Sequence, residues 1–131
     1  MMTDPISDML TRIRNAAMVK AHEVEMPLSR MKFAIAKILE AEGFLNSVET
    51  TEVNDRPILK IALKYDADGE VKVSNLKRIS KPGRRVYVKA DDLRAIRSGF
   101  GLAILSTPNG LMTSMEARKR RLGGELICEV Y

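Results

Sequence analysis

Apolar residues in the first part of the chain recur at spacings of three and four. Ile6, Met9, Leu10, Ile13 and Ala17 form one stripe and predict an amphipathic helix. Asp4-Pro5 marks its start, because a proline in the first turn forfeits no hydrogen bond. Asp8 and Arg12 lie one turn apart on the other side as a supportive pair. Val24-Glu25-Met26 reads as a short strand closed by Pro27. Ser29 is a suitable N-cap for a second helix, with Met31, Ala34, Ile35, Ile38 and Leu39 as its buried stripe. Gly43 supplies a left-handed stop.

From Phe44 the period changes from helical to alternating. Phe44 to Glu52 and Ile58 to Tyr65 read as two strands around the polar turn Val53-Asn54-Asp55-Arg56-Pro57. In the second, Leu59, Ile61, Leu63 and Tyr65 alternate with Lys60, Ala62 and Lys64, the pattern of a half-buried strand. Asp66-Ala67-Asp68-Gly69 is the expected boundary between two halves that pack together. Beyond it, Val71 to Ile79 reads as a strand whose alternation breaks near Asn75, as at a bulge. Lys81-Pro82-Gly83 is a turn in which glycine would accept a positive φ. Val86-Tyr87-Val88 is a strand, and Asp91-Asp92 caps a short helix through Ile96. The last strands are Leu102 to Thr107 and Glu125 to Tyr131, the latter with Leu126, Cys128 and Val130 on one face. The class is therefore α+β. Residues 1–66 form an α/β domain of two helices on a small sheet, and residues 67–131 a β-rich domain with short helices.

Composition narrows this picture. The 131 residues are 45% hydrophobic and 30% charged, so the chain can bury a core, and disorder is not expected. With no Trp, three Tyr and three Phe, that core is aliphatic with Met as filler. The single cysteine, Cys128, cannot close an internal disulfide or build a thiolate cluster. No apolar run approaches the roughly 20 residues of a membrane span, and the first residues lack the order of a secretion signal. A soluble, cytosolic protein is expected, with no membrane partner. Its charge is uneven. Residues 1–66 hold nine Lys/Arg against ten Asp/Glu, whereas residues 67–131 hold thirteen against seven. A basic half beside a neutral one suggests an anionic partner on the carboxy-terminal part, although a basic surface kept for solubility explains the same charge.

Candidate chemistry concentrates in residues 99–131. Thr113-Ser114-Met115-Glu116 is a capping box opening a short helix that ends in Arg118-Lys119-Arg120-Arg121. Cations there favour the helix dipole, and some of the four also have the reach for phosphate contact. Three clusters of small residues surround this helix: Gly99/Gly101, Ser106-Thr107 and Gly123-Gly124. Hydroxyls at a strand end suit base edges and ribose 2′-hydroxyls, and paired glycines admit close main-chain approach. Turn chemistry alone also accounts for such pairs. Nothing points to an enzyme. His22 beside Glu23 and Glu25 reads as a loop residue, Cys128 lies on an apolar strand face, and Gly99-x-Gly101 precedes a strand where a dinucleotide fingerprint requires it to follow one. No catalytic residue, metal site, cofactor or small-molecule substrate is expected.

Gly99-x-Gly101-x-x-Ile104-x-Ser106-Thr107-x-x-Gly110, then Ala117-Arg118 and Gly123-Gly124-Glu125 before a last strand, resembles the signature of the bacterial-type small-subunit ribosomal protein number eight family. The opening Asp4-Pro5-Ile6-Ser7-Asp8-Met9-Leu10-Thr11-Arg12-Ile13-Arg14-Asn15 is similar to that family's start, and the resemblance spans the chain. It implies a structural constituent of the small ribosomal subunit that binds a stem of small-subunit ribosomal RNA in the platform region, early in assembly. It further implies a cytoplasmic, ribosomal location and neighbouring small-subunit ribosomal proteins as partners, and raises the question of binding to its own messenger RNA. Carried over, the Ser-Thr loop and Gly-Gly-Glu turn that meet the RNA minor groove are Ser106, Thr107, Gly123, Gly124 and Glu125. Tyr87 matches a family position beside the RNA, and Arg84 is the candidate cation close to it in sequence. Arg30 and Lys32 are candidates for the amino-terminal domain's contact with the backbone. The chain departs from the family after Ser-Thr, where another Ser is common and Pro108 stands here. That position has no hydroxyl, and proline has no N–H to donate.

Overall fold

The computed structural model describes residues 4–73, 75–93 and 101–131. Gly99, Arg94 and the expected helix end at Ile96 lie outside the described residues. In chain order the elements are α1 (Pro5–Met18), β1 (Glu23–Pro27), α2 (Arg30–Ala41), β2 (Leu45–Val53), β3 (Arg56–Leu63), β4 (Leu76–Arg78), β5 (Tyr87–Val88), a single 3-10 turn (Ala90–Asp92), β6 (Leu102–Thr107), β7 (Gly110–Thr113), α3 (Ser114–Lys119) and β8 (Gly124–Val130). Among the described residues, three helices and two antiparallel sheets make the α+β class expected. The chain divides into two compact units, Pro5–Ser74 and Asn75–Tyr131, the latter joined by the chain start through Asp4.

In the unit Pro5–Ser74, the sheet order is β1-β3-β2 and both pairings are antiparallel. The turn between β2 and β3 has two residues, Asn54 (φ 53°) and Asp55 (φ 64°). Both are left-handed, as the tight hairpin turn matching strand twist requires, and Asn and Asp tolerate that conformation best after glycine. Leu59, Ile61 and Leu63 are buried as the alternation predicts. In α1, Ile6, Met9, Leu10 and Ile13 are buried, and Arg12 pairs with Asp8 at 3.0 Å. The second helix differs from expectation. Its buried line is Lys32, Ile35, Ala36 and Leu39, while Met31, Ala34 and Ile38 are half-buried. Lys32 lends its aliphatic stem to that line, and its Nζ escapes to the Pro27 carbonyl at 2.9 Å. Asp66 to Gly69 is a turn: Asp66 Oδ1 accepts from the N–H groups of Asp68 and Glu70, and Tyr65 bridges to Val71 across it.

In the second unit, β8 is the central strand. It pairs with β6 along one edge and with β4 and then β5 along the other, and β7 extends the sheet beyond β6. The expected strand from Val71 to Ile79 is broken. Val71 serves the hairpin with Tyr65, Leu76–Arg78 pairs with β8, and the Ile79 and Ser80 N–H groups continue onto β8 at the Ile127 and Leu126 carbonyls. The division between the two units falls inside it. Alternate residues of β6 face opposite ways. Ala103 and Leu105 join Leu93, Met112 and Ala117 in a core under α3, with Val88, Leu122 and Leu126 against it. Leu102 and Ile104 lie on the other face, opposite Val130 and Cys128. Arg78 Nε holds Asp4 Oδ2 at 3.0 Å while another guanidinium nitrogen donates to the Ile127 carbonyl, so this nearly buried cation is satisfied on two sides.

Candidate nucleic-acid interface

One irregularity in β8 builds the site. Ile104 pairs with Cys128, yet Leu105 pairs with Leu126, so Ile127 is an extra residue in the ladder. A bulge of this kind turns the strand over. Leu126 therefore faces the α3 core, away from Cys128 and Val130, and the expected common face of the three does not form. Glu125 is brought instead to the face of Ile104 and Cys128, where it pairs with Ser106. Tyr87 pairs with Glu125 from the far side, and Leu111 with Ser106. Directly opposed residues share a face, so Tyr87, Glu125, Ser106 and Leu111 make one row across four strands.

The members of this row differ in what they offer. Tyr87 is 70% exposed, with its ring free to stack. Glu125 accepts from Arg85 at 3.0 Å, which holds its carboxylate in place. Ser106 is half-buried, and its hydroxyl has no hydrogen-bond partner among the described residues. Thr107, the next residue, is 8% exposed and points to the opposite face. Its Oγ1 donates to the Gly110 carbonyl at 2.8 Å and accepts from Asn109 N–H at 3.1 Å. The two adjacent hydroxyls thus have separate surroundings: one is open, the other ties the turn around Pro108.

The glycines are fixed by packing. A Cβ on Gly123 would stand 2.5 Å from the Val88 carbonyl, and one on Gly124 would collide with the Ser106 carbonyl. Neither glycine has the positive φ found at Gly110. Their missing side chains let β5 and β6 close on β8, which sets the spacing of the row.

Ahead of Tyr87, Lys81 and Arg84 bridge around Pro82-Gly83, and both are exposed. Gly83 does not take the left-handed conformation expected of it. Fully buried Ser80 pins the approach to β5, its Oγ accepting from Val86 N–H at 2.9 Å and donating to the Val86 carbonyl at 3.3 Å. Ser80 and Arg85 escaped the sequence reading. Arg85 was visible as the cation two residues before Tyr87, whereas only the fold discloses Ser80. The remaining candidates lie on α2 of the other unit: Arg30 is exposed at its first turn, and Lys32 is 6% exposed with its ammonium on Pro27.

The arrangement supplies a stacking ring, a hydroxyl that donates and accepts, a positioned carboxylate and exposed cations. Those groups suit ribose and base edges of a distorted helix. Among the described residues no three His, Cys, Asp or Glu side chains gather to hold a metal ion. His22 is exposed, edge-on to Tyr65 with ring centres 6.1 Å apart. Burial pushes the Cys128 thiol up to about 12, against a smaller opposing pull from Arg78. No described helix is long and apolar enough to cross a membrane.

A family model described as "Ribosomal protein S8" matches residues 4–131. A protein of Thermodesulfovibrio yellowstonii named "Small ribosomal subunit protein uS8" is 53% identical over 131 residues, covering all of both chains. Proteins of the same name from Caldanaerobacter subterraneus and Sorangium cellulosum are 56% and 51% identical, over 130 and 131 residues. The first of these alignments covers 99% of this chain and 98% of the other, and the second covers both chains completely.

Proposed function

The chain belongs to the ribosomal protein S8 family, and from that premise we propose that it is a structural constituent of the small ribosomal subunit which binds small-subunit ribosomal RNA directly, without catalysis. Its site is the row Tyr87–Glu125–Ser106, and the RNA it reads is a stem of the platform region. The observation that carries this reading is the β8 bulge, which brings Glu125 beside Ser106 and Tyr87 on one face. A row of that kind has no role in the core, since Tyr87 is largely in solvent.

A-form RNA presents a wide, shallow minor groove lined with 2′-hydroxyls, so a compact protein reads shape, ribose and unstacked bases there. Ser106 and Glu125 meet sugar and base edges, and Tyr87 stacks at the rim. Gly123 and Gly124 act through the close strand spacing, and Thr107 holds the loop that presents Ser106. Arg84 supplies phosphate contact beside the row. On the other unit Arg30 meets backbone, with Lys32 contributing through the ammonium hydrogens that Pro27 leaves. The protein works on the cytoplasmic ribosome, next to other small-subunit ribosomal proteins.

Filter binding with a platform-stem fragment and an unrelated stem of equal length tests the reading. The fragment is expected to bind at least tenfold more tightly, with affinity falling steeply in salt. Equal affinity for the two stems would overturn it.

A further inference from the structure

The second unit also carries a concentration of cations that the row does not use. The segment Ser114 to Arg121 holds Arg118, Lys119, Arg120 and Arg121 against the single anion Glu116. Arg120 Nε is engaged with Glu116 Oε1 at 2.7 Å, whereas Arg118, Lys119 and Arg121 are exposed and form no ion pair among the described residues. A helix advances about 100° per residue, so with Ala117 in the core, Met115 and Lys119 point outward and Arg118 flanks them. Met115 is 66% exposed in the middle of this charge. Asp91 and Asp92 of the neighbouring 3-10 turn are exposed and pair with none of these cations among the described residues.

The helix end is informative in a second way. Leu122 N–H donates to the Ala117 carbonyl at 2.9 Å and Arg121 N–H to Arg118 at 3.1 Å. This is the closing pattern whose left-handed position usually belongs to glycine. Here it is filled by Arg121 at φ 57°. The chain keeps a cation at the position where glycine would relieve backbone strain.

Position decides what this surface can meet. α3 covers the β6 face that carries Ala103 and Leu105, and Ser106 with its partners Glu125 and Tyr87 lies on the reverse. We infer that Met115, Arg118, Lys119 and Arg121 form a second polynucleotide-binding surface, which grips the phosphate backbone of an RNA segment other than the stem held by the row. The inference rests on the RNA-binding reading above. Three exposed cations without positioned acceptors suit sequence-independent backbone contact, and the unit then bridges two RNA segments from opposite faces of one sheet.

The test loads the full chain with saturating platform-stem RNA and adds a labelled RNA duplex of about 20 base pairs at low salt. A ternary complex is expected on a native gel. The variant Arg118→Gln/Lys119→Gln/Arg121→Gly should keep the binary complex and lose the ternary one. With three phosphate contacts gone, the log–log salt slope for the duplex should shrink by about 2–3. The variant should melt no lower than the parent, because glycine suits the left-handed position. Failure of the parent to form the ternary complex overturns the inference, as does a variant that still forms it. Loss of the binary complex by the folded variant also overturns it, since both surfaces would then hold one RNA. A parent that does not prefer the stem to an unrelated RNA refutes instead the row as a specific site, a result read in the binary arm alone. Duplex affinity unchanged in the variant, with a defect only in subunit assembly, would assign the cations to a protein partner and contradict the inference.

Discussion

Ser106 and Thr107 stand side by side in the chain and do different things. Ser106 Oγ is open on the face of the row, while Thr107 Oγ1 both donates and accepts within its own turn. Removing one hydrogen bond changes a free energy by about 1 kcal/mol. Ser106→Ala is therefore expected to weaken stem binding about fivefold and leave the melting temperature alone. Thr107→Ala, which loses two such bonds, should lower stability by about 2 kcal/mol and affect binding only through the loop. Thermal melts and filter binding on the two variants check this, and equal binding losses at unchanged stability would contradict it. The residue types were legible in the sequence, and so was the rule separating them, since neighbours in a strand face opposite ways. Lys32 was harder to read. A lysine at a helix's first turn looks solvated, and only the course of Pro27 shows its ammonium capturing a carbonyl.

Most elements could be read from periodicity, because long runs with one dominant period constrain themselves. α1 and the β2–β3 hairpin are of this kind, whereas β6 is legible as a short unbroken apolar run. Short elements depend on their partners. β7 is not among the elements that the periodicity predicts, because the four residues Gly110 to Thr113 are too few to show a period; its pairing comes from β6. The bulge at Ile127 was likewise invisible, since an extra residue leaves an apolar run looking continuous. It is nonetheless the feature on which the site depends. Gly124 works at the same scale: a methyl there meets the Ser106 carbonyl, a backbone atom that cannot rotate away. Gly124→Ala should destabilise the protein by about 1–3 kcal/mol, as overpacking does, and weaken stem binding in proportion. Chemical denaturation measures the first effect, and a variant as stable as the parent would show that the strands have room to part.

For the whole molecule the charge imbalance acquires a place. The excess of cations in residues 67–131 was legible as a preference for an anionic partner, but sequence order could not say which faces carry it. In the fold, Arg84 and Lys81 precede the row, whereas the cations of α3 lie across the sheet from it. On the function proposed, affinity comes from counterion release at the cations and selectivity from the row between them. Photo-crosslinking from position 87, with Tyr87→p-benzoylphenylalanine in the full chain and whole small-subunit RNA as partner, tests this division most directly. The account predicts one dominant crosslink, confined to the platform stem and persisting at salt concentrations that remove nonspecific RNA. Crosslinks scattered over the RNA, or none from position 87 while the variant still binds the stem, would contradict it.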